Sequence, residues 1–370
     1  MNIVNLLFSL LAFVLSMVCG FVFIPQILNF CKKRNLYDIP NTRKVHKNAI
    51  PRLGGISFLP SMVIATIVAI AVMGGNFKGE KLVISSWSLS FVIGLLIVYS
   101  VGLIDDIIGL SARTKFIAQI IAAILLPLSF LYLNNGYGFL GIHDIPYYIG
   151  APLTVFVLVF IMNAINLIDG IDGLSSSLSM LALAGFYYCF FHESIWVYCI
   201  LIAGLMGVLV SFFYFNFFGN SDENRKIFMG DSGSLTLGYI LGTLFVKFAM
   251  DNPNVMPFRI EALLLPYTLL IIPVFDVVRV IVVRILHRKP IFDADKNHIH
   301  HKLMRTNLTQ HQTLGVIIGL AVLFIILNYS LCRYIPVTVI VGIDIILYIV
   351  YHLVLDHFIR KAGRQPFAES

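Results

Sequence analysis

APLTVFVLVFIMNAINLIDGIDGLSSS, residues 151–177, sets a bilayer-length apolar run directly against a polar turn. Residues 151–168 suffice to cross the hydrocarbon core as a helix, which takes about 20 residues. Asn163, Asn166 and Asp169 recur at every third position, so on a helix they trace one polar stripe. The stripe runs into Gly170 and Gly173, which break a helix, and then into Ser175, Ser176 and Ser177, which can cap the next one. Amides within lipid also serve as links between helices. A stripe that ends in a carboxylate and a glycine-permitted turn suits instead a cation together with phosphate oxygens.

Similar apolar runs recur outward from this segment, near 4–30, 54–73, 87–104, 114–133, 175–192, 195–217, 233–250, 261–286, 313–331 and 336–355. With 151–168 they predict an all-α, polytopic transmembrane bundle of about eleven spans, read as a single domain over 1–370. Composition agrees: 59% of residues are hydrophobic, 12% are charged and the mean hydropathy is +0.90. Soluble proteins carry roughly 25% charged residues. Soluble domains, disorder, a coiled coil and a secreted disulfide scaffold are therefore excluded, and the helix-length runs argue against a β-barrel. The five cysteines form no C-x-x-C pair and read as small hydrophobes. The first run is expected to remain a span, because its basic cluster, Lys32-Lys33-Arg34, follows it.

The net charge of +7 is not a nucleic-acid footprint, since the Lys and Arg residues sit between apolar runs. Outside the spans they divide 20 to 5 between alternate connections. Positive residues mark the cytoplasmic side, so the N-terminus is expected outside and the C-terminus inside. Every polar motif then falls on the cytoplasmic face.

Of 19 acidic residues, five lie in three short motifs at span ends: Asp105 and Asp106 in GLIDDIIGL, Asp169 and Asp172 in NLIDGIDGL, and Asp231 in FMGDSGSL. A charge beside a span is costly unless paired, hydrated or functional. Three such clusters on one face point to one shared site. Adjacent helical residues point about 100° apart, so Asp105 and Asp106 cannot play one identical role. Gly230 to Ser234 offer backbone N–H groups at a helix start, a cradle for phosphate. Asp231 would repel phosphate there unless a divalent cation lay between them, and Mg²⁺ shares oxygen ligands with substrate phosphates in this way. Its plain alternative is an N-cap. Two basic segments complete the inventory: the first loop with Arg43, Lys44, His46, Lys47 and Arg52, and a later loop with His298, His300 and His301. Lys115 and Arg113 extend the same positive rim. Such cations suit a polyphosphate. The residues thus describe a Mg²⁺-dependent site for a nucleotide-like diphosphate at the cytoplasmic membrane surface, with a second substrate arriving from the bilayer.

RKVHKNAIPRLGGI, GLIDDIIGLSARTKF, NAINLIDGIDGL, FMGDSGSL and HIHH, in this order, resemble the polyprenyl-phosphate N-acetylhexosamine-1-phosphate transferases. That superfamily includes phospho-MurNAc-pentapeptide translocase and the eukaryotic dolichyl-phosphate GlcNAc-1-phosphate transferase. The resemblance implies a bacterial inner-membrane transferase with cytoplasmic active-site loops. It would move a sugar-1-phosphate from a UDP-N-acetylhexosamine to undecaprenyl phosphate, with release of UMP. It further implies that Asn166 and Asp231 hold Mg²⁺, with Mn²⁺ as an alternative, and that Asp105 and Asp106, with Lys115, are catalytic. Asn163, Asp169, Asp172, Gly230, His46, Lys47, Arg52, His298, His300 and His301 are implied to face substrate. HIHH and eleven spans resemble the branch that initiates O-antigen, teichoic acid or other surface glycans, which favours UDP-GlcNAc over UDP-MurNAc-pentapeptide as donor. The expected partners are these substrates and the bilayer, with no nucleic acid; a homodimer is compatible but not required. A secondary transporter is the competing class, but transporter sites lie near the midplane, whereas these motifs gather at one surface.

Overall fold

The computed structural model describes residues 2–38, 49–76, 85–220, 223, 225–290 and 296–367. Their long apolar runs form α1 (Asn2–Arg34), α2 (Phe58–Asn76), α3 (Ser86–Ile108), α4 (Ala112–Leu128), α5 (Tyr147–Ile168), α6 (Leu174–His192), α7 (Trp196–Phe217) and α8 (Gly230–Ala249). The remaining helices are α9 (Leu264–Leu269), α10 (Ile271–Leu286), α11 (Ile299–Met304), α12 (Gln310–Leu331) and α13 (Val337–Lys361). Among the described residues, nine helices are long and apolar enough to cross a membrane. The expected all-α polytopic bundle is therefore what the chain forms.

The two remaining expected spans differ in detail. The run at 114–133 is the 17-residue α4. The run at 261–286 is not one helix: it breaks at Leu270 between α9 and α10. Pro273 lies just beyond the break, and a proline in a continuous helix would remove a hydrogen bond and clash one turn back. Within the first turn of a new helix its missing N–H costs nothing.

Helix ends are set locally by short polar side chains. Ser85 and Ser111 cap α3 and α4 by accepting the Ser88 and Thr114 N–H groups, both at 3.2 Å. Thr309 and Gln312 form a capping box at the start of α12. Ser175, Ser176 and Ser177, expected as caps, lie instead inside the first turn of α6, whose N-cap is Gly173. Two small hairpins close the ends of the bundle: β1 (Tyr37–Asp38) pairs antiparallel with β2 (Ile50–Pro51), and β3 (Asn135–Phe139) with β4 (Ile142–Asp144).

The larger core surrounds α8, which packs against α3 and α5. A second apolar cluster, with Ile168, Ile171, Leu174, Ile299, Leu303 and Leu314, seats α11 against the α5–α6 turn. Because successive spans alternate in direction, the ends of α3, α5 and α10 and the starts of α4, α6 and α8 meet at one end of the bundle.

Candidate active site

The site is built where α3 ends on the start of α8. The carboxylate of Asp106 accepts the backbone N–H of Asp231 at 2.8 Å and of Ser232 at 2.9 Å. Those are two of the four N–H groups that every helix start leaves free, so a side chain 125 residues upstream caps α8. Asp231 itself is not the N-cap, which is Met229. The turn demands glycine: Gly230 has φ +73°, and a Cβ there would lie 2.1 Å from the Arg52 carbonyl and 2.5 Å from Asp106 Oδ2. Arg52 Nε donates to the Asp106 carbonyl at 2.9 Å. The backbone of Pro51, Gly54 and Gly55 pairs with Phe228 and Met229, so the first loop is stitched to the start of α8. His46 and Lys47, with Arg43 and Lys44, lie outside the described residues.

Around this cap the expected polar residues converge. Lys115 Nζ stands 2.6 Å from Asp231 Oδ2 and 3.3 Å from Asp105 Oδ2. Asn166 Nδ2 donates to Asp231 Oδ1 at 3.1 Å and to Ser234 Oγ at 2.8 Å. Ser234 had been noted only as part of its motif, and here its hydroxyl joins the cluster. Asp105 Oδ1 accepts the Leu110 N–H at 2.7 Å, which turns the chain from α3 into α4. Asp105, Asp106 and Asp231 each offer a carboxylate oxygen, and these oxygens lie within 4.8 Å of one another. An all-oxygen set of this kind fits a hard divalent cation, and Asn166 beside it turns its NH₂ group to Asp231. In the structure the Lys115 ammonium supplies the positive charge between two of those carboxylates.

Asp169 and Asp172 occupy the turn that α5 enters. Asp169 is exposed at the residue level, yet protein atoms surround its carboxyl. That desolvation, reinforced by Asp172, Asp231 and Asp106, raises its pKa to about 7. Asp172 is paired with Lys226 at 2.7 Å. Asn216, which the sequence did not single out, ties the turn down by accepting the Gly173 N–H at 2.7 Å and donating to the Ile227 carbonyl at 2.9 Å. Asn163 stands apart from the cluster. Its amide donates to Gln119 Oε1 at 2.6 Å and to the Val159 carbonyl at 2.7 Å, which is the helix-linking role of an intramembrane amide.

The HIHH segment closes the other side. His300 is buried, and a Cβ at position 170 would fall 2.2 Å from its Nε2. Gly170 is therefore the space that His300 fills. Burial, followed by the neighbouring His301 and His298, holds the His300 pKa well below the usual imidazole value, so the ring is neutral. His298 Nδ1 lies 2.8 Å from Asp276 Oδ2. Asp276 and Arg279 are spaced i, i+3 in the sequence, within reach of each other on one helix face. That pairing exists, at 2.8 Å, but the link to His298 had no local signal, because 22 residues separate the two.

The chain is similar to several known proteins. The profile described as glycosyl transferase family 4 matches residues 88–249. The chain is 29% identical to the "Probable undecaprenyl-phosphate N-acetylglucosaminyl 1-phosphate transferase" of Bacillus subtilis (strain 168), over 85% of this chain and 82% of that protein. It is 31% identical to the decaprenyl-phosphate N-acetylglucosaminephosphotransferase of Mycobacterium leprae (strain TN), over 72% of this chain and 69% of that protein. It is also 31% identical to the phospho-N-acetylmuramoyl-pentapeptide-transferase of Lactobacillus gasseri, over 65% of this chain and 76% of that protein.

Proposed function

The chain belongs to glycosyl transferase family 4, and from that premise we propose that it transfers an N-acetylhexosamine-1-phosphate from a UDP-sugar to undecaprenyl phosphate, releasing UMP. GlcNAc-1-phosphate is the group we assign, as the names of two of these relatives suggest. The observation that carries the reading is the meeting of Asp105, Lys115, Asn166 and Asp231 from four different helices within 3.3 Å contacts. Transfer of the pentapeptide-bearing muramoyl phosphate is the second reading, favoured by the name of the third relative.

The chemistry asks for positioning and charge neutralisation more than covalent help. A lipid phosphate has its second pKa near 6, so at pH 7 it is mostly dianionic and already a competent nucleophile. One of its oxygens attacks the sugar-bearing phosphorus, that P–O bond forms, and the bond to the UMP oxygen breaks. Asp105 orients the acceptor phosphate in this single displacement. Lys115 offsets the charge that the two anionic reactants bring together, and it is held for this by Asp231 and Asp105. Asp106 keeps the start of α8 in place. Asp231, with Asn166 once its amide turns its oxygen inward, would hold Mg²⁺, with Mn²⁺ as a substitute. When bound, the cation neutralises diphosphate oxygens and the departing phosphate. Arg52, Asp169, Asp172 and the histidine segment line the donor side. The 20-to-5 distribution of Lys and Arg supports placing this end of the bundle in the bacterial cytoplasm, with the isoprenoid tail in the surrounding lipid.

The test is UMP release by the purified chain, offered a panel of UDP-N-acetylhexosamines and UDP-MurNAc-pentapeptide. Release should require both undecaprenyl phosphate and Mg²⁺, and EDTA should abolish it. If no donor gave acceptor-dependent UMP, the reading would be wrong; passage of substrate across vesicles without UMP would indicate a transporter.

A further inference from the structure

Asp276 takes no part in the chemistry described so far, although it is fully buried in α10. Its Oδ2 faces His298 Nδ1 at 2.8 Å, and its Oδ1 accepts the Ile299 N–H at 2.9 Å and an Arg279 Nη2 hydrogen at 2.8 Å. Arg279 also donates to the Asn297 carbonyl. Residues 297–299 are thus pinned to a single turn of α10. We propose that Asp276 is a positioning residue that decides which ring nitrogen, and so whether an acceptor or a donor, His298 turns to the donor's sugar. The proposal rests on the transfer reading above.

A carboxylate buried between three donors can only accept, so the hydrogen between Asp276 and His298 resides on Nδ1. Nε2 is then a bare acceptor, suited to receive a hydroxyl or acetamido N–H of the donor sugar rather than to face an anionic phosphate oxygen, and no described residue partners it. The ring is held from its other side as well. It lies parallel to His300, with centroids 5.9 Å apart and planes within 6°, and His300 packs on Gly170 in the turn that carries Asp169 and Asp172. Asp276 therefore acts on the donor side through His298, as an orienting carboxylate does for a working histidine elsewhere. The titratable groups beside His298 are Asp276 from α10 and His300 and His301 from α11.

Asp276→Asn separates this role from simple packing. The amide oxygen can still accept from Ile299 and Arg279, while its NH₂ group meets His298 Nδ1 and drives the ring hydrogen to Nε2. Shape is kept and the tautomer is inverted.

The experiment compares the full-length parent, Asp276→Asn, His298→Gln and the double variant for UMP release from UDP-GlcNAc and undecaprenyl phosphate. Asp276→Asn should lower kcat/KM for the donor by about 10–100-fold, the range for residues that orient a functional histidine. The acceptor KM and the melting temperature should stay near the parent's, and the double variant should be no worse than His298→Gln alone. Multiplying losses in the double variant, or parental activity in Asp276→Asn, would overturn the proposal. A parent that releases no UMP would count against the transfer reading instead. The tautomer is then read without substrate from the ¹⁵N spectrum of histidine-labelled protein: Nδ1–H in the parent and Nε2–H in Asp276→Asn support the proposal, and one signal common to both refutes it.

Discussion

Asp106→Asn tests whether this carboxylate is a helix cap or a reagent. In the parent, one oxygen serves the Asp231 N–H and the other the Ser232 N–H. An asparagine offers one acceptor, so its NH₂ group must face one of those donors. Ser232 is completely buried, so no water replaces the lost acceptor if the amide turns that way. An orphaned buried donor costs about 1–3 kcal/mol, and removing a negative charge from a helix start adds about 0.3–1 kcal/mol. The expected loss is therefore about 1–4 kcal/mol, read as a lower melting temperature of the detergent-solubilised protein. Asp105→Asn is the control. Its amide oxygen can still receive the Leu110 N–H, and Lys115 keeps Asp231, so stability should shift by less than about 1 kcal/mol. Activity of that variant should nonetheless fall by about 10²-fold or more, in the range for a group acting on the reacting atoms. If Asp106→Asn melted with the parent yet lost activity, the cap account would be refuted and Asp106 would belong to the chemistry.

Three further outcomes follow from the same geometry. Gly170→Ala should displace His300, cost about 1–3 kcal/mol as overpacking and reduce UMP release; an alanine variant with parental activity and melting would contradict that contact. The folded-state pKa of Asp169 is raised to about 7 from an unfolded value near 3.9. Between those values the folded form keeps a proton that the unfolded chain has lost, so stability should decline as pH rises through that window. In EDTA, Asp169→Asn should therefore melt above the parent by a margin that widens from pH 5 to pH 8; a constant margin would argue against the shift. Asp344 accepts from Tyr267 at 3.1 Å and Asn328 at 2.8 Å within the bundle. Asp344→Leu should cost about 2–4 kcal/mol by stranding both donors, and Asp344→Asn markedly less, as judged by thermal unfolding.

What the sequence discloses about this molecule depends on the range of the interaction involved. Spans were legible because hydrophobicity is a property of a window, and the nine long helices lie where the runs lie. The break at Leu270 was not, since the residues on both sides of it are apolar and Pro273 alone does not decide between a kink and a new helix. Asp105, Asp106, Asp169 and Asp231 stood out because carboxylates are rare beside lipid. What each one touches was hidden, because Asp106 meets the start of α8 across 125 residues and periodicity carries no information at that distance. Asn163 shows the converse. It shares the stripe of Asn166, but Gln119 on α4 claims its amide, and a stripe as wide as this one faces two neighbours at once. The pairing of Asp276 with Arg279 is local and follows from their spacing, whereas the histidine that Asp276 meets lies beyond a loop.

The complete enclosure of α8 bears on how the protein is made. Its best window has a mean hydropathy of 1.2, against 2.6 for α1, and every residue of that window is covered by protein. A segment that never meets acyl chains is free to carry Thr236, Thr243 and Lys247, but it is a poor signal for lateral exit from the translocon by itself. Its entry into the bilayer should lean on α3 and α5, synthesised earlier and waiting with complementary surfaces. Biogenesis, as much as turnover, then selects the residues of this helix.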